Sequence, residues 1–287
     1  MFQTVIVGVD GRPGGRDAIA LASRLVASSA ELTLAHVRPG ALHAVHASIP
    51  GMITDEREQS HELLERERTE SGVTAQLVSS VSITPGRGLH DLAEERQADL
   101  LVVGSSSHGL LGRALLKDDT RASLNGAPCA VAIATRGYAG DPGQLATIGV
   151  GYDGSPESDA ALATARALAE QSGASIRALE VVSIPAYAYT GIVPAEMGEG
   201  IEMMVEQAGA RMAELAGVEG SAVYGLPGEE LAALGDQVDL LVVGSRNYGP
   251  MRRLVLGSTS DHLAHHARCS LLVMPRRARE GAQAEEA

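Results

Sequence analysis

Three segments of this chain return in the same order roughly 140 residues later. VIVGVDGRPGGRDAIALA, from Val5, recurs as IGVGYDGSPESDAALATA, from Ile148. ADLLVVGSSSHG, from Ala98, recurs as VDLLVVGSRNYG, from Val238, and APCAVAI, from Ala127, recurs as ARCSLLV, from Ala267. A chain that repeats itself at domain length folds as two copies of one unit, so any topology found for one copy constrains the other. Between the copies, Thr135 to Gln144 (TRGYAGDPGQ) is rich in Gly and Pro and reads as a linker.

Each copy alternates strand and helix patterns. In the first, Thr4 to Asp10 predicts a strand, and Ala18, Leu21, Ala22, Leu25 and Val26 share a helical face. Strands are then expected at Leu32 to Val37, Gln76 to Val81, Leu100 to Val103 and Cys129 to Ala134. Helices are expected at Glu56 to Glu70, as mostly solvated surface, at Leu89 to Gln97 and near Thr120 to Asn125. The second copy repeats this through Leu271 to Met274. Such alternation implies an α/β fold with a parallel sheet covered by helices on both faces, and ligands in such folds sit beyond the carboxyl ends of the strands. Asp153, Val181 and Gly244 are expected at that edge.

The stretch Asp239 to Ser258, DLLVVGSRNYGPMRRLVLGS, is the most informative locally. Leu240 to Val243 reads as a strand buried on both faces, ended by Gly244. A loop with Ser245, Arg246, Asn247, Gly249, Arg252 and Arg253 follows, and Gly257 and Ser258 lead into STSDHLAHHA, a helix start. Strand, bare-backbone turn and helix N-terminus together offer converging N–H groups and partial positive charge to an anion. A phosphate site is the leading expectation here.

Other motifs fall away at the same edge. Gly104 to Gly109 and Gly244 to Gly249 match half of a phosphate-loop signature, but Leu110-Leu111 and Pro250-Met251 stand where Lys and Ser or Thr are required. His108 occupies the second glycine of a would-be nucleophile elbow. Gly149-x-Gly151-x-x-Gly154, with Glu180 near the end of the next strand, formally fits a dinucleotide fingerprint. The first copy runs as strand through the same positions, so Gly149 and Gly151 are expected inside a strand. His262 and His266 share a helical face without an identifiable third metal ligand. Cys129, Cys269, Met203, Met204 and Met212 read as packing residues, and Asp10, followed by Gly, as a turn former.

The spacing Gly244, two residues, Asn247, nine residues, Gly257, Ser258 resembles the nucleotide signature of the universal stress protein family, which has Gly in place of Asn247. Asn tolerates a left-handed backbone, so the turn can survive the exchange. The resemblance covers both copies. It implies two tandem five-stranded parallel-sheet domains, Rossmann-like and similar to the adenine nucleotide alpha hydrolases, with strand order 3-2-1-4-5. Their expected bounds are 1–137 and 144–276, with a polar tail at 277–287. It further implies ATP or another adenine nucleotide, AMP or a cyclic nucleotide included and Mg as a candidate companion. Asp153 would contact the adenosine moiety and the Val181 backbone the adenine edge. Gly244, Ser245, Arg246, Asn247, Gly257 and Ser258 would surround the phosphates. It also implies pairing of the two domains through their last strands, and a homodimer of whole chains is compatible with it.

The first copy departs from the signature: Ser107 replaces the second glycine and Lys117-Asp118 stands where Gly and Ser belong. Asp118 and Asp119 would set carboxylates against phosphates, so the second copy is expected to be the working site. A net charge of -13 disfavours nucleic acid as a general partner. Two cysteines, no cationic leader with an apolar core and no membrane-length apolar run lead to the expectation of a soluble cytoplasmic protein. Three function classes remain: a nucleotide-binding stress sensor or regulatory module, a slow ATPase or phosphotransfer enzyme, and an interaction module with vestigial sites. No general base, phosphate-loop Lys or metal-binding carboxylate pair is identifiable, which favours the first.

Overall fold

The computed structural model describes residues 1–40, 52–105, 125–183, 195–245, 254 and 257–275. In the first lobe, strands β1 (Phe2–Gly8), β2 (Val26–Pro39), β3 (Gln76–Ser82), β4 (Leu100–Gly104) and β5 (Ala130–Ala134) interleave with helices α1 (Pro13–Leu25), α2 (Met52–Ser71) and α3 (Pro85–Glu95). In the second, β6 (Thr147–Gly151), β7 (Ser175–Val182), β8 (Glu219–Tyr224), β9 (Leu240–Gly244) and β10 (Ser270–Met274) interleave with α4 (Pro156–Ser172), α5 (Ala195–Ala213), α6 (Pro227–Gly235) and α7 (Ser258–His266). Helices α1, α3, α4 and α6 each begin with Pro in the first turn after an extended cap residue, where the missing N–H costs nothing.

All strands form one sheet in the order β3-β2-β1-β4-β5-β10-β9-β6-β7-β8. Counted within its own lobe, each half reads 3-2-1-4-5, with every neighbour parallel. The two expected five-stranded sheets are thus fused. Strand β10 runs antiparallel to β5, with Leu271 opposite Ile133 and Val273 opposite Val131. The physical reason is the unpaired row of N–H and C=O groups that a last strand otherwise presents. Both strands are buried along their whole length, as a central position requires. Thr135 also donates its N–H to Ser270 Oγ across this seam at 3.3 Å.

The helices divide between the two faces, and each face carries a hydrophobic cluster spanning both lobes. One joins α1 and α4 residues such as Ile19, Leu25, Ala161 and Leu168. The other joins Leu89 and Leu92 of α3, Leu231 of α6 and Leu263 of α7. Helix α2 is mostly solvated surface, as expected, and buries only a stripe of Ser60, Leu64 and Glu67 among its described side chains. Arg16 donates to Glu67 at 3.2 Å, which balances a carboxylate fully removed from water.

The linker is fastened rather than slack. A single 3-10 turn, Tyr138–Gly140, packs on α1, and Asp17, 2% exposed, accepts from the N–H groups of Gly137 (2.9 Å) and Ala139 (2.8 Å). In the repeat Ala160 stands at the position of Asp17, so this clamp belongs to the first lobe alone. We expect Asp17→Ala to leave two amides without their acceptor and to cost about 2 kcal/mol of stability. Urea denaturation checks this; an unchanged midpoint would mean that the clamp contributes nothing.

Candidate functional site

In the order 3-2-1-4-5 the connections after the first and fourth strands leave toward opposite faces, which opens a crevice at their carboxyl ends. In the second lobe these strands are β6 and β9, followed by α4 and α7. A cleft of about 780 Å³ lies there. It gathers Asp153 from the turn after β6, Val181 from β7, Gly244 and Ser245 from the end of β9, and Gly257 and Ser258 from the start of α7. Six of the eight residues expected at a nucleotide site therefore share one cavity. Arg246 and Asn247 lie outside the described residues, as do Arg252, Arg253, Ser107, His108, Lys117, Asp118, Asp119 and the helix expected near Thr120 apart from Asn125 in a turn.

Val181 owes its place to register. Gly151, the last residue of β6, pairs with Leu179, and Tyr152 N–H donates to the Leu179 carbonyl at 3.0 Å. Main-chain groups alternate sides along a strand, so those of Val181 point the same way as those of Leu179, into the space where β6 has ended. The Val182 carbonyl confirms the alternation, since it accepts from Gly225 on the β8 side at 3.1 Å. Val181 thus turns a donor and an acceptor toward the cleft, a pattern that can match the edge of a planar heterocycle.

Asp153 is partly spoken for: its Oδ1 accepts from Ser155 N–H at 3.0 Å, and Gly154 beside it has φ +75°. The matching Asp10 accepts from Arg12 N–H at 3.0 Å, with Gly11 at φ +74°. Both aspartates shape the strand-to-helix turn, and in the second lobe the turn also lines the cleft. Gly244 has a packing role. A Cβ there would lie 2.7 Å from Glu157 Cβ and 2.9 Å from the Glu157 carbonyl carbon, so β9 approaches the first turn of α4 too closely for any side chain. Gly149 and Gly151 stand inside β6, where Leu231 and Leu234 of α6 press on them, so the dinucleotide fingerprint has no loop to occupy.

Helix α7 begins at Ser258 with Gly257 as its N-cap, at φ -80° and ψ 168°, and no side chain caps it. Gly257, Ser258, Thr259 and Ser260 line the cleft, so the amide-bearing end of the helix, with its partial positive charge, faces the cavity. Ser260 Oγ donates to the Gly244 carbonyl at 3.4 Å, tying α7 to β9. The Ser245 hydroxyl is buried and has no hydrogen-bond partner among the described residues.

Several lining residues had no signal in the repeat or the loop. Glu157, 4% exposed, brings a carboxylate to the first turn of α4, where the helix dipole favours it. Met204, Gln207 and Arg211 of α5 form one wall. Met204, expected as a packing residue, is 41% exposed at the cleft instead. Arg211 donates to Glu180 Oε1 at 2.6 Å, so the candidate ribose acid of the rejected fingerprint is an ion-pair partner. Ser155, the α4 cap that accepts from Ser158 N–H at 3.2 Å, was findable from its Ser-Pro pair.

Among the described residues, the matching turn of the first lobe is more crowded. A Cβ on Gly11 would lie 2.9 Å from Leu63 of α2, whereas nothing lies within 4 Å of one on Gly154. At the end of β2, Arg38 and Glu56 form a half-buried ion pair at 3.1 Å, and the His36 ring bonds the Val9 carbonyl at 2.8 Å.

The histidines of α7 lie against one another at a part-exposed surface. His262 stacks on His266 with ring centroids 4.0 Å apart and presses on Gly228 at the start of α6. Among the described residues no group of three or more His, Cys, Asp or Glu is set to hold a metal. Burial, then the neighbouring His266, holds the His262 pKa below its ordinary 6.5, with Glu229 pulling the other way. A depressed folded-state pKa means that the unfolded chain takes up a proton the folded chain resists. Stability is therefore lost as pH falls through 6.5 and levels off below the folded value. We expect Tm to fall less for His262→Gln than for the parent between about pH 7.5 and about pH 5.5; identical pH profiles would contradict this. Burial also pushes the Cys129 and Cys269 thiols up to about 12, which makes them inert packing residues at neutral pH.

No helix among the described residues is long and apolar enough to cross a membrane. The model of the universal stress protein family matches residues 1–135 and 145–275. Universal stress protein Rv2005c of Mycobacterium tuberculosis is 32% identical over 212 residues, covering 70% of this chain and 68% of its own. A universal stress protein of Thermus aquaticus is 31% identical over 141 residues, which are 45% of this chain and 97% of that one. The crystal structure of a universal stress protein from Archaeoglobus fulgidus shares the fold with TM-score 0.68 at 16% identity, covering 95% of this chain and 98% of its own. A repeat that predicts two copies, one topology in both lobes and a family match to each lobe converge on one assignment: the chain belongs to the universal stress protein family, as a member with two such domains in tandem.

Proposed function

We propose that the second domain, residues 144–276, binds an adenine nucleotide, ATP first among the candidates, and that the chain acts as a stress-response regulatory module whose first domain, residues 1–137, binds nucleotide weakly or not at all. The observation that carries this reading is the cleft itself. It joins a turn carboxylate, the main-chain donor and acceptor of Val181, and a helix start without a side-chain cap, drawn from three separate segments of chain. Adenine would lie against the Val181 main chain and Met204, and ribose hydroxyls would donate to Asp153. The phosphates would face the amides from Gly257 to Ser260, with Ser245 Oγ a further donor. Mg, where it accompanies ATP, would ride on the phosphates. ATP supplies the anionic tail; the chain binds and orients it.

The carboxylate of Glu157 is the charge that phosphates meet least favourably here, and the N-terminal dipole of α4 offsets it. The crowding of Gly11 by Leu63 and the Arg38–Glu56 pair support the asymmetry between the domains. Within this reading the fused β5–β10 seam makes the chain an intramolecular counterpart of a dimer, with the cytoplasm its compartment. The test is mass spectrometry of the supernatant after denaturing purified protein, paired with a measurement of ATP consumption. Co-released adenine nucleotide with little turnover is expected. Steady hydrolysis would move the reading to the slow ATPase, and absence of nucleotide together with no ATP binding would overturn it.

A further inference from the structure

The first lobe reaches the second lobe's cleft through main chain. Gly126, in the turn that leads into β5, donates its N–H to the Leu254 carbonyl at 2.8 Å, and Leu254 N–H donates to the Ala127 carbonyl at 2.8 Å. Leu254 stands three residues before Gly257, the N-cap of α7. Its side chain is fully buried in the cluster that crosses both lobes on the α3, α6 and α7 face. Gly126 has φ +88°, a backbone that favours glycine, and the ring of His90 lies about 4 Å from where its Cβ would be.

We propose that Gly126 and Ala127 are positioning residues for the nucleotide site of the other lobe, and that occupancy of that site is felt in the first lobe through Leu254. This rests on the nucleotide reading of the same cleft. Three residues span at most about 11 Å, so fixing Leu254 limits how far the cap of α7 can move from the first lobe. A buried side chain and two reciprocal hydrogen bonds hold Leu254 in one place, and those bonds terminate on the first lobe. The lobe without a nucleotide site thereby sets the geometry of the helix start that faces the phosphates. Binding free energies are reciprocal, so a ligand that needs this geometry must in turn stabilise the bridge.

The test is amide hydrogen exchange on the full chain with and without saturating ATP, together with ATP affinity for Gly126→Val. That substitution lies in the first lobe and places a β-branched residue at positive φ. The exchange of the Gly126 and Leu254 amides should slow on ATP addition, and Gly126→Val should lose about tenfold in affinity at a temperature where its far-UV spectrum shows it folded, its Tm falling by several degrees from the strain at positive φ. Unchanged exchange at Gly126 with ATP bound, or a folded variant with parental affinity, would overturn the proposal. Should the variant fail to fold, the exchange comparison on the parent decides alone. A parent that binds no ATP overturns the nucleotide reading itself, which is a separate and recognisable result.

Discussion

Replacing Gly104 by Ala is expected to lower the unfolding free energy by about 3 kcal/mol or more, the largest loss from a methyl added at any of the described glycines. The end of β4 runs directly against the first turn of α1, and a Cβ on Gly104 would overlap the Gly14 carbonyl oxygen and carbon. Backbone cannot rotate away as a side-chain tip can, so strand and helix must separate. The second lobe repeats the arrangement with Gly244 against Glu157, where the nearest atoms stand 2.7 and 2.9 Å away, so Gly244→Ala should follow in the same direction with a smaller loss. Urea denaturation reads both, with the slope expected to stay constant while the midpoint falls. A loss below about 1 kcal/mol for Gly104→Ala would show that the helix can shift at little cost.

Gly257→Asp is expected to weaken ATP binding at least about a hundredfold while leaving the fold intact. The backbone at φ -80° and ψ 168° suits any residue, and Asp is a favoured helix cap, so stability should hold or rise slightly. The same carboxylate would accept from the first-turn amides proposed to hold phosphate, and would add a negative charge to the cleft that Glu157 also lines. Gly257→Ser separates charge from bulk, since it also caps but carries no charge, and its loss of affinity should be much smaller. Equal losses for Asp and Ser would indicate steric exclusion, and parental affinity for Asp would remove α7 from the site.

Much of this molecule could be read from the repeat. Copies at domain length with alternating strand and helix patterns lead to the α/β class, and the carboxyl edge follows from the topology. Asp153, Val181, Gly244, Ser245, Gly257 and Ser258 do converge on one cleft. Other features depend on three-dimensional register that a pattern of residue types does not carry. Gly244 reads as a phosphate glycine by spacing, whereas its neighbour Glu157 gives it a packing reason visible only once α4 is placed. Met204, Gln207 and Arg211 reach the cleft because of how α5 lies over β7, and a methionine on a helix reads equally well as core. The burial of Glu67 follows from Arg16, 51 residues away in sequence. Leu254 carried no signal at all: its role arises from contact with Gly126 and Ala127, which belong to the other copy.

What distinguishes the chain, on this reading, is an asymmetry: one nucleotide site in a molecule with two copies of the same fold. Calorimetric titration of the full chain with ATP measures it without intermediaries. The expected stoichiometry is one ATP per chain, abolished by Gly257→Asp. Two equivalent sites per chain, or one site that survives Gly257→Asp, would contradict it.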